Sequence, residues 1–456
     1  MNLKNYTYIH FIGIGGISMS SLAEILIHEG YKVSGSDMTR SDITDHLASL
    51  GIDVYIGQKG ENIADGVDLA VYTAAVKKDN PEYIEAERRG IKIIERAELV
   101  GLIMKNYDNP ISIAGTHGKT TASSMMTEVL IAGGKDPAVS IGGILPSING
   151  NFRIGARDFF VVETCEYCDS FLKFFPSSAI ILNVDRDHTD YFKTMEQMYD
   201  SFRKFANLLP EKGILVINDD IKDKEKITDG VKCKVVTYSD KDSSDWYVKN
   251  VDFVSGCGEF DVVNKGEVKG HIKLNVPGMH NVLNATAVFA VADYYGVDRE
   301  SIEKGLYNFT GTNRRFQKKG EFNGVTVIDD YAHHPTEIKA TLSSAARYDK
   351  NKLWCVFQPH TYSRTKSLLK EFSQAFDDAD NIVVLDIYAA REKDTGEIHS
   401  KDLVELLVDR GKKAVYKESF DKAVEFLAEK CQKGDMLITI GAGDVYKVGE
   451  KLVDNF

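Results

Sequence analysis

The sequence contains few cysteines and no long apolar segment, and each absence narrows the class of protein. Six cysteines are scattered over 456 residues, unlike the dense spacing of a disulfide-stapled secreted domain. No apolar run approaches the roughly 18 residues of a membrane-spanning helix. The opening segment, MNLKNYTYIHFIGIGG, leads from one lysine into an alternating strand and then glycines, unlike a signal peptide. We therefore expect a cytoplasmic protein with no membrane partner.

An excess of basic residues is also missing. Lys and Arg number 56 and Asp and Glu number 68, so the formal net charge is −12. Proteins that bind nucleic acid through its phosphates need a basic surface, and we expect no nucleic-acid partner here. An anionic ligand must instead be bound by local basic side chains and by backbone N–H groups.

What the sequence does contain is a repeated alternation of strand, turn and helix. Hydrophobic residues make up 43% and charged residues 27%, which is ordinary for a globular protein and excludes a disordered or fibrous chain. The length corresponds to about three domains at roughly 150 residues each. The alternation predicts the α/β class with mainly parallel sheets. We place the three units at residues 1–107, 108–310 and 311–456.

Buried strands are predicted where short apolar runs lie between turn signals. Asn80-Pro81-Glu82 predicts a helix start, because Asn caps helices and Pro suits the first helical position. Residues 219–270 are charged and hairpin-like, and are interpreted as a β excursion that precedes a helix at 280–295. The predicted strands are 6–12, 32–35, 69–72, 111–114, 159–162, 179–182, 325–328, 353–357, 382–385, 414–416 and 436–440.

The segment GTHGKTT at residues 115–121 is the strongest local chemical signal. It lies between a predicted strand and a helix, which is the context of a phosphate-binding loop. Its glycines let the backbone approach phosphate, and the helix N-terminus offers unpaired N–H groups. Lys119 is expected to reach the β- and γ-phosphates, and Thr120 to ligate Mg²⁺. The generic motif has a further glycine where this chain has Ile113.

A second glycine-rich turn, GIGGIS at residues 13–18, follows the first predicted strand. Asp37 comes about twenty residues later, and the pair is typical of a dinucleotide-binding turn. Ser18 stands where the third glycine of that fingerprint is expected. The pattern therefore indicates a nucleotide diphosphate on the helix N-terminus and Asp37 near a ribose hydroxyl, without indicating NAD.

Acidic residues follow two strands of the second unit. Glu163 ends the strand at 159–162, with Glu166 and Asp169 after it, and NVDRDH at residues 183–188 follows the strand at 179–182. The carboxyl ends of parallel strands face the ligand crevice. We expect Glu163 to ligate Mg²⁺, which takes few protein ligands and otherwise keeps water or phosphate oxygens. The lone CxxC at 165–168 is interpreted as two reduced thiols.

The third unit carries basic and aromatic side chains at comparable positions. Paired arginines, Arg314 and Arg315, open it, and arginine forks suit phosphate and carboxylate. DDYAHHP at residues 329–335 ends one predicted strand, and QPHTYSRT at residues 358–365 ends the next. We expect these clustered groups to face a ligand.

Taken together, the segments resemble the Mur ligases of peptidoglycan synthesis. The likeness runs in order along nearly the whole chain and accounts for Ile113, because that family has a shortened loop whose first glycine corresponds to Gly115. The segments that carry it are GIGGISMSSLAEIL, VSGSD, AGTHGKTT, ETCEYCDSFL, NVDRDHTDYF, GMHNVLNA, NRRFQKKG, DDYAHHPTEI, QPHTYSRT and ITIGAGD.

The resemblance implies a Rossmann-like UDP-binding domain, a central P-loop-type ATPase domain and a C-terminal Rossmann-like domain. It implies ATP-driven addition of L-alanine to the lactoyl carboxylate of UDP-N-acetylmuramate through an acyl phosphate, in cytoplasmic precursor synthesis. ATP is then a co-substrate, with one or two Mg²⁺ ions. The chain is expected to be a monomer or a homodimer.

The resemblance also assigns roles to individual residues. Lys119, Glu163 and His188 are the expected catalytic residues, and Thr120, Glu163 and His188 the expected metal ligands. Tyr331, His360 and Arg364 are expected to complete the muramate and amino-acid pocket. The expected UDP-sugar contacts are Gly13, Gly15, Gly16, Ile17, Ser18 and Asp37. The expected ATP contacts are Gly115, Thr116, His117, Gly118, Lys119, Thr120, Thr121, Asn281, Arg315 and Asp330.

Two positions depart from the family pattern. Many members have Arg where this chain has Thr361, which leaves Arg364 as the basic group of that segment. Some members carry a carbamoylated lysine between the metals, whereas here Arg203 lies near that position and Lys204 one residue on. The alternatives are a ligase that attaches a whole tripeptide, a folate polyglutamate-type ligase, a nicotinamide oxidoreductase and a nucleotide-binding regulator without catalysis.

Overall fold

The computed structural model describes residues 2–73, 75–189, 191–390 and 392–456. Three sheets follow one another along the chain, with helices between successive strands. The predicted α/β class with mainly parallel sheets is confirmed. Within the described residues, no helix combines the length and apolarity needed to cross a membrane.

The first sheet has five parallel strands in the order β3-β2-β1-β4-β5. Its order reverses beside β1, so the turn after β1 lies in the crevice where such sheets bind ligands. The elements are β1 (Tyr8–Ile12), α1 (Ile17–His28), β2 (Lys32–Asp37), α2 (Asp42–Ser49), β3 (Asp53–Ile56), β4 (Leu69–Tyr72), α3 (Pro81–Arg88), β5 (Lys92–Glu95) and α4 (Arg96–Met104).

The second sheet has ten strands in the order β15-β14-β13-β12-β11-β10-β6-β9-β7-β8, parallel at its centre and antiparallel at both edges. The predicted β excursion at 219–270 proves to be an extension of this same sheet. The elements are β6 (Asn109–Ala114), α5 (Lys119–Ala132), β7 (Ala138–Leu145), β8 (Gly150–Arg153), β9 (Phe159–Glu163), β10 (Ser178–Ile181), α6 (Met195–Ala206), β11 (Ile214–Asn218), α7 (Lys224–Thr228), β12 (Lys234–Ser239), β13 (Trp246–Val254), β14 (Cys257–Asn264), β15 (Glu267–Pro277), α8 (Met279–Tyr294) and α9 (Arg299–Asn308).

The third sheet has six strands in the order β16-β17-β21-β18-β19-β20, and only the edge strand β16 is antiparallel. The elements are β16 (Gln317–Phe322), β17 (Val325–Asp330), α10 (Pro335–Ala346), β18 (Leu353–Phe357), α11 (Tyr362–Ser367), α12 (Leu369–Ser373), β19 (Asn381–Val384), α13 (Ser400–Asp409), β20 (Ala414–Tyr416), α14 (Phe420–Lys430), β21 (Met436–Ile440) and α15 (Tyr446–Asn455).

Helix α4 joins the first unit to the second. Its buried Leu99 and Ile103 share one hydrophobic core with Phe160 and Phe174. A Cβ atom on Gly101 would lie 2.0 Å from the carbonyl oxygen of Lys173, so only glycine permits this approach. The glycine therefore fixes α4 against the segment that follows Glu163.

The β13–β14 hairpin joins the second unit to the third. The guanidinium of Arg347 lies 4.1 Å from the ring centroid of Phe253. Gly256, in the left-handed region with φ +75°, packs so closely on Tyr348 that a Cβ atom there would meet the ring at 2.6 Å. Arg347 and Tyr348 follow α10 directly, so the hairpin supports the end of that helix.

Candidate active site

The phosphate-loop segment forms the turn between β6 and α5. Gly115 and Gly118 have positive φ angles of +139° and +81°, which side chains disfavour. Gly118 caps the helix, and Lys119 is its first residue. Asn183 holds the loop from the neighbouring strand end: its Oδ1 accepts from the N–H of His117 at 2.7 Å, and its Nδ2 donates to the His117 carbonyl at 3.0 Å.

Lys119 is buried at the base of this loop. Its Nζ donates to the carbonyls of Gly115 and Thr116, at 2.5 and 3.1 Å, and to Glu166 Oε2 at 3.2 Å. Burial by itself would lower the pKa of Lys119, but the Glu166 carboxylate beside it raises that pKa above the usual value. The ammonium is therefore charged and is held by two loop carbonyls and one carboxylate.

Two of the expected metal ligands lie together. Thr120 Oγ1 donates to Glu163 Oε1 at 3.1 Å, and the N–H of Gly142 donates to Glu163 Oε2 at 2.6 Å. Hydroxyl and carboxylate oxygens are the ligands that Mg²⁺ prefers, so this pair fits the cation.

The third expected ligand, His188, lies beside Glu166 instead. Its Nε2 is 4.0 Å from Glu166 Oε1, an oxygen that is buried without a hydrogen-bond partner among the described residues. No three His, Cys, Asp or Glu side chains of the described chain lie at metal-ligand spacing. Of the expected ligands, Thr120 and Glu163 are therefore in contact, while His188 lies beside Glu166.

A cleft of about 190 Å³, partly open to solvent, runs from the phosphate loop to the third unit. His117, Gly118 and Thr121 form one wall, and Arg315 and Asp330 belong to the opposite side. The remaining lining residues include Asn183, Asp185, Pro277, His280, Asn281, Asn284, Phe309, Gly311, Phe316, Thr336, Glu337 and Thr341. The mixture of apolar and polar groups suits a purine nucleotide.

His117 connects the two walls of the cleft. Its Nε2 lies 3.1 Å from Asp185 Oδ2, its Nδ1 lies 3.2 Å from Glu337 Oε1, and its ring contacts the tilted ring of His334 with centroids 4.6 Å apart. Burial would lower the pKa of His117, but the carboxylates of Glu337 and Asp185 raise it to about 9. The imidazolium is therefore charged at neutral pH.

The two arginines that open the third unit have different surroundings. Arg314 forms an ion pair with buried Asp329 at 3.1 Å and donates to the Gly441 carbonyl at 2.7 Å, so it stabilises the fold. Arg315 lines the cleft and lies 5.2 Å from the ring centroid of Tyr331. Of the pair, only Arg315 is placed to contact a nucleotide.

Asp330 ends β17 at the floor of the cleft. Its carboxylate accepts from the N–H groups of Phe316 and Ala332, both at 2.8 Å. Burial raises its pKa to about 6 although Arg315 opposes the rise. The carboxylate is thus a buried acceptor beside the cleft, where a hydroxyl donor could reach it.

Arg364, His360 and Tyr331 lie together beyond the ends of β17 and β18, two strands of the third sheet that are separated by β21. Arg364 Nη1 lies 3.1 Å from His360 Nδ1, and the rings of His360 and Tyr331 lie 5.8 and 5.6 Å from the ring of His333. Burial and Arg364 lower the pKa of His360 to about 4. The group therefore combines one fixed cation with neutral imidazoles.

The first glycine loop lies on a different sheet. Gly13 has φ +87°, and the N–H of Gly15 donates to Asp37 Oδ2 at 2.9 Å. Ile17 is 64% exposed at the start of α1. The Ser18 hydroxyl accepts from Arg96 Nη1 at 3.0 Å, and Arg96 also lies within electrostatic reach of Cys165 in the second unit. Through Arg96, this loop faces the acidic segment after β9.

Both glycine-rich segments lie between a strand and a helix, as predicted, but sequence reasoning left out several side chains near the phosphate loop and the third unit. Asn284 lies one helical turn after Asn281, in the segment HNVLNA, and that spacing could have shown it. Asp185 and Asp187 belong to the segment NVDRDH, which was singled out, but no role was predicted for either residue. No role was predicted for Glu337, because its contact with His117 joins residues that are far apart in the sequence, in the third and second units.

A phosphate loop on one sheet, a glycine loop on a second and clustered basic groups on a third define a nucleotide-using α/β enzyme with three units. The chain belongs to the Mur ligase family. Residues 8–108 match the family description "Mur ligase family, catalytic domain", residues 113–292 the "Mur ligase middle domain" and residues 314–443 the "Mur ligase, glutamate ligase domain".

Similar proteins cover the same span. A UDP-N-acetylmuramate–L-alanine ligase of Caldanaerobacter subterraneus subsp. tengcongensis is 49% identical, over 100% of this chain and 99% of that protein. One of Agathobacter rectalis is 50% identical, over 98% and 97%. The crystal structure of UDP-N-acetylmuramate-alanine ligase MurC from Thermotoga maritima superposes with a TM-score of 0.81 at 28% identity, covering 98% of this chain and 99% of that one.

Proposed function

We propose that this chain uses ATP to join L-alanine to the lactoyl carboxylate of UDP-N-acetylmuramate, in the synthesis of peptidoglycan precursors. The observation that carries the proposal is the position of Lys119, which opens α5 directly after the phosphate-loop residues that line the cleft and donates to Glu166 in the acidic segment after β9. Full-length relatives with about half of their residues identical bear the name of this activity.

The proposal divides the work among three domains, 1–107, 108–310 and 311–456. The first binds the UDP-sugar through Gly13, Gly15, Gly16, Ile17, Ser18 and Asp37. The second and third enclose ATP between the loop 115–121, Asn281, Arg315 and Asp330. Because ATP and UDP-sugars are present in the cytoplasm, we propose that the reaction takes place there. The family matches at 8–108, 113–292 and 314–443 support this division.

The chemistry has two displacements. The lactoyl carboxylate attacks the γ-phosphorus of ATP, ADP leaves, and an acyl phosphate forms. The amine of L-alanine then attacks the acyl carbon, inorganic phosphate leaves with the bonding electrons, and the amine loses a proton. Phosphoryl transfer of this kind depends on positioning and charge neutralisation. Lys119 supplies positive charge to the phosphates from the start of α5, and Arg315 supplies it from the third unit.

Thr120, Glu163 and His188 are the residues that would hold Mg²⁺. The bound cation neutralises charge on the phosphate oxygens. Thr120 and Glu163 already lie 3.1 Å apart at the start of α5, so helix α5 orients both the lysine and the hydroxyl. The proposal includes one or two Mg²⁺ ions at these residues.

Tyr331, His360 and Arg364 complete the pocket for the muramoyl and amino-acid groups. A guanidinium is suited to a carboxylate, and the carboxylate of L-alanine is the substrate group that must be held while its amine attacks. Thr361 has a positive φ of +66° and caps α11 through its hydroxyl. Its short side chain leaves Arg364 as the cation of this segment.

The test is release of inorganic phosphate from ATP and Mg²⁺, with UDP-N-acetylmuramate and L-alanine added singly and together. Release that needs both substrates is the expected result. Release with UDP-N-acetylmuramate and a tripeptide, but not with L-alanine, would replace the proposal by the tripeptide-adding reaction. Release that needs neither substrate would reduce the protein to an ATPase.

A further inference from the structure

Glu166 is a buried carboxylate that the proposed reaction has not yet used. It lies three residues after Glu163, between β9 and the 3₁₀ segment Tyr167–Lys173, and its side chain is 1% exposed. Charged carboxylates are rarely buried to this degree without a partner for each oxygen. The partners of Glu166 therefore indicate what the side chain does.

The two oxygens of Glu166 have different surroundings. Oε2 accepts from Lys119 Nζ at 3.2 Å. Oε1 has no hydrogen-bond partner among the described residues, and His188 Nε2 lies 4.0 Å from it. The ring of His188 is held in place by Tyr167, with centroids 4.7 Å apart. Glu166 thus depends on one lysine, and its second oxygen faces an imidazole without contacting it.

That lysine has another task in the reaction. Lys119 is the residue placed to bind the phosphates of ATP, and an ammonium that turns toward phosphate loses its contact with Glu166. Removing one partner of a buried ion pair leaves an uncompensated charge, which is strongly unfavourable. A second positive charge must therefore replace Lys119 beside Glu166 when ATP binds.

We propose that Glu166 exchanges Lys119 for a divalent cation when ATP binds, and that Glu166 and His188 ligate this ion together. This inference rests on the proposed function, because ATP is the anion that draws Lys119 away. Carboxylate and imidazole are ligands that Mn²⁺ and Mg²⁺ accept in nucleotide sites, with phosphate oxygens and water completing the shell. The Thr120–Glu163 pair remains available to another ion.

The exchange has a consequence that a merely structural ion pair lacks. Without nucleotide, Lys119 forms an ion pair with Glu166 and competes with the cation for this carboxylate. Metal binding by Glu166 is therefore weak. With nucleotide, the lysine is withdrawn and the carboxylate becomes available. Cation binding through Glu166 is therefore coupled to nucleotide binding.

The test is a titration of the full-length protein with Mn²⁺, followed by electron paramagnetic resonance, with and without a saturating non-hydrolysable ATP analogue. With the analogue, E166Q should bind its second Mn²⁺ about 10- to 100-fold more weakly than the unmodified protein. Without the analogue, the two should bind alike. The matched control is E225Q, the same change at a side chain that is 76% exposed, and it should follow the unmodified protein throughout.

Equal Mn²⁺ affinity of E166Q and E225Q with the analogue would overturn the proposal. A second variant keeps the test decisive if E166Q does not fold. K119M removes the competing ammonium, so its Mn²⁺ affinity without nucleotide should exceed that of the unmodified protein about tenfold or more, and an unchanged affinity would also overturn the exchange. Phosphate release by the unmodified protein, measured in parallel, separates this outcome from failure of the proposed ligase reaction.

Discussion

Arg364 and Asp187 form an ion pair between the third unit and the second, joining helix α11 to the loop after β10. Arg364 Nη2 lies 3.0 and 3.3 Å from the two carboxylate oxygens of Asp187, and its Nε lies 3.2 Å from Oδ1. Burial would raise the pKa of Asp187, but Arg364 holds it well below its usual value. The cation expected to bind a substrate carboxylate is therefore already held by a protein carboxylate.

Replacing Asp187 by Asn should weaken this contact and leave Arg364 partly buried without a full charge partner. We expect a loss of about 3 kcal/mol in the free energy of unfolding, measured by urea denaturation, and a higher KM for L-alanine because Arg364 loses its orientation. D200N is the control, since Asp200 pairs with Arg203 and Lys204 on the surface and exposed pairs contribute about 0–1 kcal/mol. Equal losses in both variants would refute the role of the pair.

Replacing Lys119 by Ala should stop phosphoryl transfer while sparing the UDP-sugar site. We expect kcat for phosphate release to fall at least about 100-fold, because the lysine stabilises charge that develops on the phosphates. Affinity for UDP-N-acetylmuramate, measured by calorimetry, should stay within about twofold, because the glycine loop lies on another sheet. K135A, at an exposed lysine after α5, should match the unmodified protein. Turnover by K119A at the normal rate would remove Lys119 from the active site.

His117 should make stability depend on pH between about 6.5 and 9. Its pKa is raised from 6.5 to about 9 in the folded protein, so folding takes up a proton. The stabilisation is fully present below pH 6.5 and is lost as the pH rises through 9. A shift of this size corresponds to about 3 kcal/mol, and urea midpoints measured across this window should show the decline.

The matched variant for this prediction is H117Q, which keeps a polar side chain but cannot bind a proton. Its urea midpoint should lie below that of the unmodified protein at pH 6.5 and approach it at pH 9. Parallel curves for the two proteins would show that another group causes the pH dependence.

Gly101 provides a test of the contact between the first two units. G101A places a methyl group 2.0 Å from the Lys173 carbonyl, so α4 has to move away, and we expect a loss of about 2 kcal/mol in the free energy of unfolding. G60A is the control, because its new Cβ atom would lie 3.3 Å from the Glu85 side chain and requires only a small adjustment. Phosphate release should fall in G101A as well, since the displaced segment carries Glu166. Thermal unfolding that is the same for both variants would contradict the close packing.

The parts of the fold that the sequence predicted are those with strong local signals. Apolar runs marked β17, β18 and β21 closely, and Asn80 caps α3 as expected, with its side chain accepting from the N–H groups of Glu82 and Tyr83. Helix α2 and strand β3 went unrecognised. Strand β3 lies at a sheet edge and is partly exposed along its length, and its apolar run is only the three residues 54–56. Strand β16 has the polar sequence QKKGEF and gives no signal for the same reason.

For the candidate site, the sequence predicted the positions of the loops but not the contacts between their side chains. Strand ends and glycine spacing marked the loops, because parallel strands bring their carboxyl ends to one edge. Which side chains pair across that edge is decided by packing between sheets. Nothing near Arg364 in the sequence indicates Asp187, 177 residues away. Likewise, Asp37 was expected to face a ligand, and only the structure shows that one of its oxygens accepts the Gly15 N–H.

Helix α10 has a mechanical consequence for the cleft. Its first turn carries Glu337, against His117 of the phosphate loop, and the residues after its last turn rest on the β13–β14 hairpin. Twelve residues at about 1.5 Å each make a stiff rod of about 18 Å. His117 and the β13–β14 hairpin both belong to the second unit, so helix α10 contacts that unit at both of its ends. A movement of the third unit away from the phosphate loop would have to break the Glu337–His117 contact or the Gly256–Tyr348 contact, so helix α10 resists opening of the cleft.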